Sequence, residues 1–175
     1  MTKCRPKLWA IIGESGVGKS PTVKALVSQQ NGGRTSKVSP VLLRGGGYID
    51  VHCKVMALQE AGWTPADTVA EVDKWIRSVA KQHPPIEPAC INLLFAIRFD
   101  PVPWTKGKRT WICPAAEDYL SHFVRAGWDL KRLVLMSPED SRSHLSRFGV
   151  PTLWANNSTA PNETNGAVRN HFGWA

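Results

Sequence analysis

Residues Gly13 to Ser20 read Gly-Glu-Ser-Gly-Val-Gly-Lys-Ser and follow the apolar run Leu8-Trp9-Ala10-Ile11-Ile12. The spacing is G-x-x-x-x-G-K-[ST], set between a strand-forming run and the amphipathic segment Thr22 to Val27, the context that a phosphate-binding P-loop requires. Each residue type has a chemical reason. Gly13, Gly16 and Gly18 allow backbone angles and close approach that a Cβ forbids. The N–H groups along Glu14, Ser15 and Val17 then line a nest for phosphate oxygens, reinforced by the N-terminus of the following helix. Lys19 brings a point charge to the β- and γ-phosphates, and the Ser20 hydroxyl is a ligand for Mg²⁺. Pro21 fits the first turn of a helix, where its missing N–H has no helical partner. The segment Gly13 to Pro21 therefore implies a bound nucleoside triphosphate.

The elements that position this loop follow from pattern. A strand over Leu8 to Ile12 leads into it and a helix leaves it. A link from Asn31 to Ser39 precedes a short strand Val41-Leu42-Leu43 and the turn Arg44-Gly45-Gly46-Gly47. Two helices are expected next: about Val51 to Gln59, closing at Gly62, then Thr64 to Lys81 with Val69, Val72, Ile76 and Val79 on one face. The most apolar run, Ala89 to Ile97, reads as a strand buried on both faces. A proline-rich loop, Asp100 to Lys108, leads to a helix near Ala115 to Ala126. Two strand–helix pairs follow: Arg132 to Met136 with Pro138 to Phe148, and Thr152 to Ala155 with Asn162 to Phe172. Strands alternating with helices predict an α/β three-layer sandwich on a mainly parallel five-stranded sheet, of P-loop NTPase or kinase type. All 175 residues are expected to form one domain.

Composition narrows the class. Hydrophobic residues at 42% and charged ones at 21% are globular values. No apolar run approaches the ~20 residues of a membrane span, and the start of the chain leads into a strand rather than a signal peptide. Cys4, Cys53, Cys90 and Cys113 are scattered, which reads as reduced thiols in a cytoplasm rather than a zinc site or disulfide frame. The triplets at Asn156, Asn157 and Asn162 are then expected to stay unglycosylated. Twenty-two Lys and Arg against fourteen Asp and Glu give +8, a balance that suits polyanions such as nucleotides or DNA. The densest basic stretch, Lys106-Gly107-Lys108-Arg109, is bracketed by Trp104 and Trp111. That arrangement tracks a phosphate backbone while rings stack on bases, or else the two Trp residues only anchor a loop. Arg44, beside the glycine turn, is a candidate contact for acceptor phosphate or DNA. Asp100, just past the strand end, lies where ligands bind in open α/β sheets, or it forms a turn before Pro101. No acidic pair closes an apolar run in the manner of a motor ATPase.

Beyond the loop, several short motifs are similar to the deoxynucleoside monophosphate kinase group of P-loop kinases found in bacteriophages. Val55 to Gly62 resembles that group's helix ending L-Q-x-x-G, and Trp75 falls in a helix before the central strand. Ile97-Arg98-Phe99 resembles its D-V-R-F, with Ala96 where the aspartate stands. A helix carrying Glu117, a strand reaching Ser137-Pro138, and Leu153 to Ser158, similar to a final strand and adenine loop I-x-N-x-G, complete the match. The resemblance implies an ATP- and Mg²⁺-dependent kinase in the cytoplasm, the host's if the chain is phage-encoded. It implies adenine contacts from Asn156 and Asn157, acceptor binding by Arg98, and a phosphate-clamping lid with Arg142 and Arg147. It also implies a carboxylate at Asp50, which otherwise caps the helix after it; Lys19, Arg98 and one of Asp50 or Asp100 form the expected catalytic set. Free deoxynucleoside monophosphate is the acceptor the group suggests. The charge, the Trp-flanked basic loop and the missing aspartate point instead to a hydroxymethyl-pyrimidine base in DNA, as in phages that hypermodify their DNA. A nucleic-acid-binding P-loop NTPase without kinase activity is the remaining alternative.

Overall fold

The computed structural model describes residues 5–28, 38–82, 91–136, 145–155 and 161–175. The elements run β1 Lys7–Gly13, α1 Lys19–Ser28, β2 Val38–Leu42, β3 Tyr48–Lys54, α2 Pro65–Gln82, β4 Asn92–Arg98, β5 Val102–Lys106, β6 Arg109–Cys113, α3 Ala116–Arg125, β7 Asp129–Met136, β8 Thr152–Trp154 and α4 Pro161–Phe172. Among the described residues, a 3₁₀ turn, Ser146–Phe148, lies between β7 and β8.

The sheet has six strands in the order β2-β3-β4-β1-β7-β8 rather than the five expected. Strands β3, β4, β1, β7 and β8 are parallel, and β2 adds an antiparallel edge. The extra strand is the segment expected as a helix from Val51. Tyr48-Ile49-Asp50-Val51-His52-Cys53-Lys54 is rich in β-branched and aromatic residues, which fit a pleated surface better than a helix. Val51, His52 and Cys53 are buried where β3 lies between β2 and β4. The proline-rich loop is also regular: β5 and β6 pair as an antiparallel hairpin, separate from the main sheet.

Alternate residues of β1 face two different cores. Leu8, Ala10 and Ile12 pack with Val72 and Trp75 of α2 and with Tyr119, Leu120 and Phe123 of α3. Trp9 and Ile11 pack with Val23, Leu26 and Val27 of α1 and with Val168 and Phe172 of α4. A central parallel strand must be apolar on both sides, which explains its unbroken run. Helix α2 starts as its sequence signals: Thr64 Oγ1 accepts from the Asp67 N–H (3.2 Å) while Asp67 Oδ2 accepts from the Thr64 N–H (3.0 Å). Two features bind α4 to the rest. Arg169 Nη2 donates to the carbonyls of Ala25 (2.8 Å) and Leu26 (3.3 Å), satisfying orphan acceptors at the end of α1. Beyond the helix, Trp174 is fully buried and bridges to Leu43.

His171 Nε2 donates to the Leu133 carbonyl at 3.0 Å. Burial outweighs that bond and holds the imidazole's pKa below its ordinary 6.5, so the folded protein prefers it neutral. Between the folded value and 6.5 the unfolded chain binds more protons, so this share of stability is intact above 6.5 and lost as pH falls through the folded value. The urea midpoint is expected to drop as pH is lowered below 6.5, and His171→Gln should flatten that drop. A parent and variant with equal pH profiles would contradict it.

Candidate functional site

β1 and β4 are neighbours, yet the chain leaves them on opposite faces, through α1 and α3. Such a divergence opens a crevice at the carboxyl ends of the strands, where ligands bind in open α/β sheets. Gly13 and Arg98 are register partners at that end. The loop Glu14 to Gly18 rises from it, with φ of +77° at Gly16 and +91° at Gly18. Gly13 is required for a different reason: a Cβ there would lie 2.5 Å from the Met136 carbonyl oxygen of β7 and 2.7 Å from Val17. Among the described residues, none of the backbone N–H groups of Glu14 to Gly18 donates to another main-chain atom. Five main-chain donors before the N-terminus of α1 thus have no main-chain acceptor among the described residues. Ser20, half-buried, and exposed Pro21 lie in that helix's first turn.

Lys19 is only 4% exposed, and its Nζ donates to the Glu14 carbonyl, folding the side chain back over the loop. Burial is the main influence lowering its pKa; the positive charge of Arg98 lowers it further, while Glu60 and Glu14 oppose the shift. Lys19, Arg98 and Glu60 thus share one electrostatic neighbourhood. Arg98 is half-buried, and its Nε is shielded from solvent without a hydrogen-bond partner. None of the described carboxylates forms an ion pair with it.

Gln59 fixes this corner. It is fully buried, and its amide makes a reciprocal pair with the backbone of Arg98: Nε2 to the Arg98 carbonyl at 2.9 Å, and the Arg98 N–H to Oε1 at 2.9 Å. The same Nε2 reaches the Pro114 carbonyl at 3.2 Å. One side chain joins the turn after β3, the end of β4 and the approach to α3. Next to it, Gly62 (φ +70°) lies so close to Trp104 of β5 that a Cβ would fall 2.6 Å from the indole. Trp104 Nε1 donates to the Glu60 carbonyl at 3.1 Å, seating the hairpin against this turn.

The expected residues separate into two groups. Lys19, Ser20, Arg98 and Asp100 lie at the carboxyl end of the sheet, with Asp100 exposed two residues past Arg98. Asp50 does not. It precedes Val51, the partner of Asn92 at the opposite end of β4, roughly 20 Å from Arg98 at ~3.3 Å per residue. It also caps no helix, since β3 continues through it. Arg44 is at that far end too, bonded through Nη2 to Asn170 Oδ1 and through its N–H to the Gly173 carbonyl. Arg147 is turned onto α3, paired with Glu117 (2.6 Å) and donating to Ser121 Oγ (2.7 Å). Arg142, Asn156 and Asn157 lie outside the described residues, as do Cys4 and Cys90. Strand β8, which leads toward Asn156, lines with Thr152 and Trp154 a cleft of about 530 Å³, closed by Leu135, Leu145, Ser146 and Val150.

Two members of the corner were not expected as site residues, Gln59 and Glu60. The sequence does carry a signal for the first: the amide stands in the segment Leu58-Gln59-Glu60-Ala61-Gly62, whose Leu-Gln and closing Gly form the L-Q-x-x-G pattern. Cys53 and Cys113 are buried and form no disulfide among the described residues, and burial pushes the Cys53 thiol up to about 11. Among the described residues, no three His, Cys, Asp or Glu side chains gather as a metal cluster. No helix there is long and apolar enough to cross a membrane. Comparison with protein-family models, curated proteins and solved structures finds no match to this chain.

Proposed function

We propose that this chain is an ATP-dependent phosphotransferase whose acceptor is a deoxynucleotide, with a hydroxymethyl-pyrimidine base in DNA as the favoured form. One observation carries the reading: Lys19 and Arg98, which form no ion pair among the described residues, lie at the same end of the sheet as five N–H groups that have no main-chain acceptor among those residues. A buried cation whose charge is opposed by desolvation is costly unless an anion joins it. A polyphosphate is the anion that answers to donors and cations together.

The residues present suit the ligands. Space above Gly16 is open, with nothing within 4 Å of a Cβ position. Ser20 offers a hydroxyl, and Glu60 and Asp100 offer carboxylates, the hard oxygen donors that Mg²⁺ takes; bound there, the ion would neutralise phosphate charge. Lys19 follows the charge that develops on the transferred group, and Arg98 holds acceptor and phosphoryl group in line. The acceptor hydroxyl oxygen bonds to the γ-phosphorus, the bond to the ADP oxygen breaks, and the hydroxyl proton passes to a rim carboxylate, Asp100 or Glu60. The apolar cleft beside Trp154 is a recess for the nucleobase.

The test offers γ-labelled ATP with free deoxynucleoside monophosphates, unmodified DNA and hydroxymethylated DNA. Label is expected in the hydroxymethylated DNA. Label only in free monophosphates would move the acceptor to that class, and no transfer to any of them would sink the phosphotransferase reading.

A further inference from the structure

The hairpin β5–β6 departs from the rim of the crevice immediately after Asp100 and returns at Cys113, just before α3. Its register places Val102 opposite Cys113, Trp104 opposite Trp111 and Lys106 opposite Arg109. Side chains alternate across a strand, so these six share one face. That face is anchored at its base: Cys113 is fully buried, and Trp104 rests on Gly62 and the Glu60 carbonyl. The indoles of Trp104 and Trp111 lie 4.9 Å apart, both half-exposed. Beyond them the strip ends in Lys106 and Arg109. Gly107 and Lys108 form the two-residue turn, and the φ of +60° at Gly107 suits glycine in the first position of a type II′ turn.

Its charge is one-sided. Val102 to Cys113 contains Lys106, Lys108 and Arg109 and no acidic residue. All three cations are exposed, and none of them pairs with a carboxylate among the described residues. Two like charges directly across a ladder weaken a hairpin. Here that arrangement occupies the tip of a ribbon that is two-stranded among the described residues. An exposed basic turn with no other task gains nothing from facing Lys106 with Arg109. A polyanion lying along the strip relieves the repulsion and releases its own counterions.

We propose that β5–β6 is an arm that holds single-stranded DNA, with phosphates on Lys106, Lys108 and Arg109 and bases against the Trp104–Trp111 pair, leading the strand toward Arg98 and Lys19. This rests on the phosphotransferase reading for its purpose, and it narrows the acceptor from any deoxynucleotide to one presented unpaired. The single strand follows from the geometry. A base must leave its stack to reach a crevice at the sheet end, and half-exposed indoles beside cations bind unstacked bases.

The test measures anisotropy of a labelled 12-nucleotide oligothymidylate without ATP, across a salt series, beside a duplex of the same length. The single strand is expected to bind more tightly, with affinity falling as salt rises. Replacing Lys106, Lys108 and Arg109 together by Gln should flatten the log–log slope by about 2, from ~0.7 per lost phosphate contact on a single strand. ATP binding should be unchanged, and the variant should melt no lower than the parent, because the Lys106–Arg109 repulsion is gone. A slope unaltered by the triple change, or tighter binding of the duplex, would overturn the arm. The two readings fail separately. Arm-dependent binding without label transfer defeats the phosphotransferase alone, and transfer to free monophosphates with no binding of the oligonucleotide defeats the arm alone.

Discussion

Lys19→Ala is expected to abolish ATP turnover, by about 10² to 10⁴ in rate, while the fold survives. The position of the side chain accounts for the loss. Lys19 is buried against the loop, held by a neutral carbonyl and disfavoured in its charged form by burial and by Arg98. A phosphate arriving in the crevice replaces that carbonyl with a full negative charge, and the interaction strengthens further as charge moves onto the leaving oxygens. Removing the ammonium takes away a term that grows toward the transition state, so the loss falls mainly on kcat. The fold loses little, because among the described residues Lys19 bonds only to its own loop and forms no ion pair. Circular dichroism and the urea midpoint check the fold, and steady-state hydrolysis or transfer checks the rate. Near-normal turnover would remove the phosphate-loop assignment altogether.

Gln59→Leu has the second largest expected effect, and it divides differently. The substitution keeps the volume roughly but strips partners from the Arg98 N–H, the Arg98 carbonyl and the Pro114 carbonyl. Each buried polar group left unsatisfied costs about 1–3 kcal/mol, and partial relaxation brings the whole to ~2–4 kcal/mol. For a domain of this size that is a fall in Tm of about 5–15 °C. Transfer should fall by about 10- to 100-fold, since a shift near 1 Å at Arg98 is enough to misalign the acceptor. Nucleotide affinity should hold, because the loop Glu14 to Gly18 has no bond to Gln59. Loss of stability with transfer unchanged would show Gln59 to be a purely structural bolt.

What the sequence revealed, and what it hid, has a physical pattern. Local signals read true: the glycine loop between β1 and α1, the Thr64 cap of α2, and the apolar run of β4 are determined by neighbours within a few residues. Strand β3 was mistaken for a helix although Ile49, Val51 and Cys53 alternate with Asp50, His52 and Lys54, the period of a strand. Its burial comes from β2 and β4, which no local window contains. The hairpin was hidden by Pro101 and Pro103, though a two-stranded ribbon tolerates a proline at a free edge. Asp50 and Arg44 were misplaced as a consequence: once residues 48–54 run as a strand toward the crevice, its first residues and the turn that leads into it belong to the far end. The corner of Gln59, Glu60 and Arg98 joins positions about forty residues apart, and only the sheet brings them together.

The position of β1 has a consequence for how the protein is made. Of the described strands it is synthesised before the others and it sits at the middle of the sheet, but its two partners are β4, ending at Arg98, and β7, ending at Met136. Synthesis at about 5–20 residues per second leaves the run Leu8 to Ile12 without its second neighbour for roughly 6 to 25 seconds. Both edges of this apolar strand are open until β4 emerges, and one edge stays open to other nascent chains until β7 follows. Nascent chains stopped before β7 should therefore be bound by chaperones and be sensitive to protease, with protection appearing only once the residues past Met136 have emerged.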